Sequence, residues 1–442
     1  MLKPFSEDRV YRGMEMHMKP VHSIILALAL ILGSSAWMLR TEDIAPSAKL
    51  PALNVESTYN FIQYDKNVLH IENPEQRWNA LFDRFEKLAF EGDGKISIVH
   101  IGGSHVQGGF LTDRLRSNFS SLVYNASGER GFVFPYEMAK TNSPKSIQCN
   151  WSGNWTGCRN SVSGSDCLWG LSGINATCHD AKASVSISSS RPDSSLYSFQ
   201  KVRIYYDCSK NVELVLDSNV AILGLYTDTL GGYTEYSFTP AVSALKFGYT
   251  VNDSLPGYFT LQGVYLGESA NGITYNAIGV NGASTRSYLK CERFDEHLQT
   301  LHPDLAIFGI GINDANVPAG DFDAEQYEAR YDSLIGHFRY ANPNTCILFV
   351  TNNDTYYQKK YPNKNAIAVQ EVMFKLAKKY DGAVFDLFEV MGGLGSINDW
   401  ERANLAASDR VHLSRKGYEL QADLMTYAFQ KALGDYLDKK YN

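Results

Sequence analysis

Five short apolar segments alternate with amphipathic segments, and this alternation limits the fold more than any other feature of the sequence. The apolar segments are residues 95–101, 273–280, 305–312, 346–351 and 383–387. Nearly continuous apolar strands of this length are typical of a parallel sheet that is buried on both faces. The helical periodicity between the segments supplies the crossover connections that parallel strands require. The sequence therefore predicts a doubly wound, flavodoxin-like α/β domain with three layers, α/β/α.

A long stretch of different composition separates the first apolar segment from the other four. Residues 123–271 are rich in Ser, Gly, Asn and Tyr, and they contain short alternating runs such as residues 201–206 and 212–216. Short alternating strands between turn residues are typical of an all-β sandwich. We therefore predict a β-rich module inserted into the α/β domain, whose two parts are residues 76–122 and 272–442.

The N-terminal residues 1–39 have the pattern of an export signal. Four basic residues precede an unbroken apolar run of nine residues, 24–32, and the small residues Ser34 and Ala36 follow it. A membrane span needs about 20 residues, so the run suits either a cleaved signal peptide or an uncleaved anchor. Residues 40–75 are polar and are interrupted by three prolines, which indicates a stalk. We expect an exported protein, periplasmic or at the cell surface, which an uncleaved anchor would tether to the membrane.

Charge and cysteine content narrow the expected partners. The formal net charge is −7 and the chain has no dense Lys/Arg cluster, so we expect no nucleic-acid partner. Five of the seven cysteines lie within residues 149–208, which fits one or two local disulfides formed in an oxidising compartment. The odd total leaves at least one thiol unpaired or bonded to another chain. Since no C-x-x-C or H-E-x-x-H motif occurs, we expect neither a metal nor a cofactor.

Polar residues follow the predicted strands at the edge where a doubly wound sheet binds its ligands. Ser104 comes directly after the first strand, Gly282 after the second and Asn313 after the third, while Asp409 and His412 precede the last helix. Ligands of such sheets sit in the crevice beyond the carboxyl ends of the strands. We therefore expect these five residues to lie around one crevice.

Each of these residue types suits a step of acyl transfer. A serine hydroxyl is a weak nucleophile until a base accepts its proton, and His412 can act as that base for Ser104. Asp409 can hold the other imidazole nitrogen and stabilise the imidazolium. Attack on an ester creates an oxyanion that needs hydrogen-bond donors. The backbone N–H groups of Ser104 and Gly282 and the side-chain amide of Asn313 are the candidate donors.

Four sequence blocks, in this order along the chain, resemble those of the SGNH, or GDSL-like, hydrolase superfamily. They are the nucleophile block 102–105, the glycine block 279–284, the Gly-x-Asn-Asp block 311–314 and the Asp-x-x-His block 409–412. The resemblance implies a carboxylic ester hydrolase with Ser104, Asp409 and His412 as catalytic triad. It also implies Ser104, Gly282 and Asn313 as oxyanion-hole donors. The chain departs from the family at Gly103, where most members have aspartate.

The layout as a whole resembles that of bacterial SGNH esterases that remove O-acetyl groups from peptidoglycan. Some of these enzymes carry a carbohydrate-binding-like β module after the nucleophile block, where this chain has its insert. The resemblance implies a carbohydrate O-acetylesterase that acts through an acyl-serine intermediate, with an acetylated glycan, foremost peptidoglycan, as its partner. Trp151, Trp155 and Trp169 of the insert either stack on sugar rings or pack inside the module.

Three other interpretations of the sequence stay open. The same acyl-serine chemistry serves a carbohydrate O-acetyltransferase, in which a sugar replaces water as the acceptor. An esterase acting on plant or host polysaccharides would carry the same triad. A protein of another class, a non-catalytic cell-wall-binding protein on a decayed hydrolase fold, is suggested by Gly103 and opposed by the intact Ser104, Asn313, Asp409 and His412.

Overall fold

A computed structural model describes residues 58–123, 127–190, 198–217, 221–253, 255–267 and 271–442. The predicted export signal, residues 1–39, lies outside these residues, as does the first part of the predicted stalk. Among the described helices, none is both long enough and apolar enough to cross a membrane.

The helices are named in chain order. They are α1 (Trp78–Glu91), α2 (Ser104–Gln107), α3 (Phe110–Ser121), α4 (Thr285–Tyr288), α5 (Phe294–Gln299), α6 (Ala324–Ala341), α7 (Asn365–Tyr380), α8 (Leu387–Met391), α9 (Ile397–Arg402) and α10 (Arg415–Tyr441).

The strands are named in the same way. The α/β domain contains β1 (Leu69–Ile71), β2 (Lys95–Gly102), β3 (Ser127–Glu129), β15 (Gly272–Gly279), β16 (Leu305–Gly309), β17 (Cys346–Val350), β18 (Tyr356–Tyr357), β19 (Tyr361–Pro362) and β20 (Ala383–Phe385). The remaining strands are β4 (Gly131–Val133), β5 (Ile147–Ser152), β6 (Trp155–Arg159), β7 (Ile174–Cys178), β8 (Lys182–Ser189), β9 (Phe199–Cys208), β10 (Val212–Asp217), β11 (Ala221–Asp228), β12 (Tyr233–Val242), β13 (Ala244–Val251) and β14 (Phe259–Gly267).

The central sheet has seven strands in the order β1-β20-β17-β16-β2-β15-β3. All neighbouring strands in it are parallel except β1, which runs antiparallel to β20. The five predicted strands form its centre. The two edge strands were not predicted, because three residues are too few to show a periodic pattern.

Alternate residues of the parallel strands face opposite sides of the sheet, as strand geometry requires. On β2, Ile96 and Ile98 belong to one buried core, together with apolar residues of α1, α3 and α10. Val99 and Ile101 belong to the other core, together with residues of α5, α6 and α7. The predicted three-layer α/β/α architecture is therefore confirmed.

The predicted stalk, residues 40–75, is wrong from residue 58 onward, because this part of the chain folds onto the α/β domain. The three residues of β1 pair with Ala383–Phe385 of β20, and Ile62 is buried. The backbone N–H of Gln63 donates to the carbonyl of Val390. Similarly, β3 lies within the range predicted for the insert but pairs with β15 of the central sheet.

The rest of the insert forms two antiparallel sheets. Their strand orders are β10-β13-β8-β5 and β11-β12-β9-β14-β7-β6, and β4 pairs with β14 of the second sheet. The sheets meet where Tyr249 of the first stacks on Phe259 of the second, with ring centroids 5.1 Å apart. Two sheets packed through their inner side chains form the predicted β-sandwich.

The cysteines form one disulfide, between Cys158 and Cys167, which closes a loop of the insert. The other five are free thiols: Cys149, Cys178, Cys208, Cys291 and Cys346. One local disulfide within the predicted cluster agrees with the expectation of one or two.

Candidate active site

Strand register brings the predicted site residues to one edge of the central sheet. Gly102, the last residue of β2, is aligned with Gly279 of β15 and with Gly309 of β16. Since all three strands are parallel, the segments that follow them leave the sheet at the same edge. Ser104 and Asn313 lie on two of these segments.

Ser104, His412 and Asp409 form a continuous line of hydrogen bonds. The hydroxyl Oγ of Ser104 lies 2.8 Å from Nε2 of His412. Nδ1 of the same imidazole lies 2.8 Å from Oδ2 of Asp409. A hydroxyl held in this way can pass its proton to the imidazole, and the carboxylate stabilises the cation that forms.

The loop that carries Asp409 and His412 holds the carboxylate in its ionised form. Oδ1 of Asp409 accepts hydrogen bonds from the backbone N–H groups of Val411 and His412, both at 2.9 Å. Burial opposes ionisation, but these two donors and the imidazole outweigh it and lower the pKa of Asp409 below its ordinary value. The carboxylate therefore stays negative while the imidazole changes charge.

Arg410 ties this loop to the rest of the domain. Its backbone is in the left-handed region, with φ of +54°, which turns the chain between Asp409 and His412. The guanidinium Nε donates to Glu401 at 2.7 Å and the group lies over the ring of Tyr356, 5.0 Å from its centroid. The backbone N–H of Tyr356 donates to the Arg410 carbonyl. The strained residue is thus held on both its side chain and its backbone.

The three predicted oxyanion-hole donors are free to bind a ligand. The Asn313 amide nitrogen donates one hydrogen to the carbonyl of Ala283 at 2.8 Å, which leaves its second hydrogen available. Within the described residues, the backbone N–H groups of Ser104 and Gly282 have no acceptor. Gly282 has φ of +83°, a conformation that favours glycine. A Cβ atom added to Gly103 would lie 3.4 Å from the Asn313 amide nitrogen, so this amide adjoins the nucleophile block.

His105 packs behind the imidazole of His412. The two rings are stacked with centroids 5.0 Å apart, and Nδ1 of His105 lies 2.9 Å from the hydroxyl of Tyr418. Burial, with the neighbouring His412, lowers the pKa of His105 to about 3. A neutral ring at this position supports His412 without repelling the charge that it acquires during proton transfer.

Several residues beyond the predicted triad and oxyanion-hole donors hold the site together. Asp314 accepts from the backbone N–H and the hydroxyl of Thr285, which joins the Gly-x-Asn-Asp block to α4. The Asn353 amide donates to the carbonyl of Val411 at 3.0 Å. Next to it, burial raises the pKa of Asp354 to about 6, although the N–H groups of Gly395 and Ile397 bond to its carboxylate. Buried polar residues after a parallel strand are the signal that would have marked this segment.

The tryptophans of the insert do not form one common platform. Trp169 is buried, and Trp155 packs edge-on against Tyr249 and Phe259 in the sandwich core. Only Trp151 of the three is exposed, on strand β5. The packing interpretation therefore holds for two of the three residues.

No metal-ligand cluster of three or more His, Cys, Asp or Glu residues occurs within the part of the chain that the structure describes. The groups that can do chemistry at this edge of the sheet are a hydroxyl, an imidazole, a carboxylate and three N–H donors. This set suits attack on a carbonyl carbon with stabilisation of the resulting oxyanion.

Comparison with known proteins also indicates acyl-transfer chemistry. Residues 246–420 match the GDSL-like lipase/acylhydrolase family, a range that contains Gly282, Asn313, Asp409 and His412. Ser104 precedes the matched range, because the insert separates the nucleophile block from the other three. No curated protein matches the chain.

Among solved structures, a peptidoglycan O-acetylesterase is similar over 83% of this chain and 99% of its own, with 21% identity and a TM-score of 0.63. A lipase/acylhydrolase from Enterococcus faecalis, with 16% identity and a TM-score of 0.30, covers 37% of this chain and 78% of its own. An acetyl xylan esterase, with 22% identity and a TM-score of 0.28, covers 35% of this chain and 78% of its own. The first similarity extends over the α/β domain and the insert, and it shows a shared fold. Residues 246–420 therefore match the GDSL-like lipase/acylhydrolase family, and together with the shared fold this match supports a carboxylic ester hydrolase of the SGNH type.

Proposed function

We propose that this esterase removes O-acetyl groups from a carbohydrate outside the cytoplasm, with peptidoglycan as the leading substrate. The observation that carries the proposal is the continuous line from the Ser104 hydroxyl through His412 to the ionised Asp409. In this proposal Ser104 is the nucleophile, His412 the general base and acid, and Asp409 the residue that orients and stabilises the imidazolium.

The reaction follows from this geometry in two steps. The Ser104 hydroxyl attacks the acetyl carbonyl carbon while Nε2 of His412 takes its proton, and the oxyanion binds the N–H groups of Ser104, Gly282 and Asn313. The imidazolium returns the proton to the sugar oxygen, which leaves as an alcohol. Water then attacks the acetyl-serine with His412 again as base, and acetate leaves as the serine is regenerated.

Exposure of the site supports hydrolysis over transfer to a second sugar. The side chain of His412 is 40% exposed and that of Asp409 is 26% exposed. Part of the imidazole is therefore open to solvent, which can supply the water of the second step. An acetyltransferase would need to keep water from the acyl-enzyme.

The choice of a glycan rests on three supports. The insert occupies the position that a carbohydrate-binding module has in the resembling esterases. The similarity to a solved peptidoglycan O-acetylesterase covers 99% of that protein and 83% of this chain. The N-terminal pattern of residues 1–39 would bring the enzyme to the periplasm or the cell surface, where it meets the cell wall.

The proposal is tested by measuring acetate released from O-acetylated peptidoglycan and from acetylated xylan, by the wild type and by Ser104→Ala. We expect serine-dependent release from peptidoglycan. Release from xylan alone would assign the enzyme to polysaccharide degradation. Transfer of acetyl groups to an added glycan in place of acetate release would identify an acetyltransferase. If a fluorophosphonate probe fails to label the wild type, the chain would be a binding protein.

Asn313→Ala is expected to lower kcat on an aryl acetate by about 100-fold to 1,000-fold, the usual effect of losing one oxyanion-hole donor. The substitution removes an amide that adjoins the nucleophile block and leaves the line from Ser104 to Asp409 intact. Steady-state kinetics measure the effect. Asn316→Ala, an exposed asparagine on the same loop, is the matched control and should keep wild-type activity. A loss below fivefold would remove Asn313 from the oxyanion hole.

A further inference from the structure

The inserted module contacts the segment that carries Gly282. The hydroxyl of Ser161, which follows β6 of the insert, donates to the carbonyl oxygen of Asn281 at 2.8 Å. A Cβ atom added to Gly282 would lie 3.7 Å from the Ser161 hydroxyl. The two residues are 120 positions apart in the sequence, so this contact depends on the docking of the insert against the α/β domain.

This hydrogen bond acts on the peptide group that bears a predicted oxyanion-hole donor. The carbonyl of Asn281 and the N–H of Gly282 belong to one planar peptide unit, in which the two groups point in opposite directions. A hydrogen bond to the carbonyl therefore fixes the direction of the N–H. Rotation of this peptide plane would cost the bond to Ser161 and would turn the Gly282 N–H away from its site.

The neighbouring peptide unit is held from the other side. Oε1 of Gln107, on the helix that Ser104 begins, accepts from the backbone N–H of Asn281 at 2.6 Å. The Gln107 amide nitrogen donates to the Thr141 hydroxyl at 2.9 Å and to the Asn142 carbonyl at 2.7 Å. Asn281 is thus held at its N–H by Gln107 of α2 and at its carbonyl by Ser161 of the insert.

The loop that presents Ser161 is fixed at several points. The disulfide between Cys158 and Cys167 closes it. Asn160, which precedes Ser161, is fully buried, and its carbonyl accepts from Nζ of Lys290 at 3.0 Å. The backbone N–H of Asn160 donates to the carbonyl of Gly173. These contacts anchor the loop that carries the Ser161 hydroxyl.

We propose that Ser161 is a positioning residue of the hydrolase: it orients the Asn281–Gly282 peptide so that the Gly282 N–H faces the oxyanion. The disulfide-closed loop makes the inserted module a part of the catalytic machinery, in addition to any role in holding a glycan. The inference rests on the proposed use of Gly282 as an oxyanion donor, and it is independent of the identity of the substrate.

The test is steady-state kinetics on 4-nitrophenyl acetate, which has no glycan for the insert to bind. Ser161→Ala is expected to lower kcat roughly tenfold and to leave KM within about twofold of the wild type. The loss in kcat is smaller than that for a missing oxyanion donor, because the Gly282 N–H is still present but less well oriented. Ser161→Thr keeps a hydroxyl and should recover most of the loss. Ser163→Ala, on an exposed residue of the same loop, is the matched control and should behave as the wild type. Cys158→Ser/Cys167→Ser should lower kcat with the same unchanged KM.

Two results would overturn the proposal. A kcat of Ser161→Ala within twofold of the wild type would show that the hydrogen bond does not orient the donor. A rise in KM at constant kcat would make Ser161 a substrate contact. The end-point of fluorophosphonate labelling counts active sites, so an unfolded variant is distinguished from a slow one. Failure of the glycan assay with a normal aryl-acetate result would refute the proposed substrate and leave this inference standing.

Discussion

Ser104→Ala is expected to lower kcat on any ester by about a millionfold, the loss found when the nucleophile of a serine triad is removed. Without the hydroxyl no acyl-enzyme can form, and His412 has no proton to accept. Among the residues that the structure describes, the Ser104 side chain bonds to His412 alone, and Ser104 is only partly buried. The melting temperature should therefore stay close to that of the wild type. Kinetics on an aryl acetate and a thermal melt measure the two quantities.

The double variant Ser104→Ala/His412→Ala tests whether the two side chains act together in catalysis or contribute to the rate independently. Members of one catalytic unit are strongly non-additive, so the double variant should be no slower than Ser104→Ala alone. A further large loss would mean that His412 contributes by another route. After subtraction of the uncatalysed rate, Ser104→Ala should retain less than about one per cent of the wild-type activity. A higher value would indicate a different nucleophile and refute the assignment.

The fold and the positions of the site residues were predictable because both depend on local sequence patterns. The five buried strands are nearly continuous apolar runs, and the polar residues directly after them define the edge of the sheet. Ser104 and Asn313 were predicted in this way, and the Asp409–His412 loop from its Asp-x-x-His block; the structure brings all of them together. The N-terminal edge strand was missed, because its three residues Leu69–Ile71 take their conformation from pairing with β20.

The contacts between the two parts of the molecule were not predictable in the same way. Ser161 and Asn281 are 120 residues apart; Asn281 lies in the glycine block, but no motif marks Ser161. Gln107 lies two residues after the nucleophile block, but its role depends on where Asn281 and Asn142 come to lie. Interactions of this kind follow from the docking of the insert, which a single sequence does not encode in any periodic pattern.

The departure from the family pattern at Gly103 also has a location in the structure. A Cβ atom there would lie 3.4 Å from the Asn313 amide nitrogen and 3.6 Å from the Ala283 carbonyl, which is ordinary van der Waals contact. The position therefore borders the oxyanion donors, and neither His412 nor Asp409 is among the nearest neighbours of that Cβ atom. This separation is the physical reason to expect that the glycine leaves the triad intact.

Asp409→Asn is expected to lower kcat by about 10,000-fold, because the asparagine amide would fix the wrong tautomer of His412. In the wild type the Asp409 carboxylate accepts a hydrogen bond from Nδ1 of His412. Nε2 of the same ring is therefore unprotonated and can receive the serine proton. An amide that donates to Nδ1 would force the proton onto Nε2 and block that transfer. Aryl-acetate kinetics at neutral pH measure the loss.

A matched pair of variants separates this catalytic effect from the loss of a loop contact. The asparagine oxygen can still accept from the N–H groups of Val411 and His412, so the loop and the melting temperature should be preserved. Asp409→Ala removes both acceptors and should lower the melting temperature as well as kcat. If Asp409→Asn retained kcat within tenfold of the wild type, the contact between the carboxylate and the imidazole would be structural and the active site a Ser–His dyad. A large loss in both variants, with a lower melting temperature only in the alanine variant, would place the carboxylate in the reaction itself.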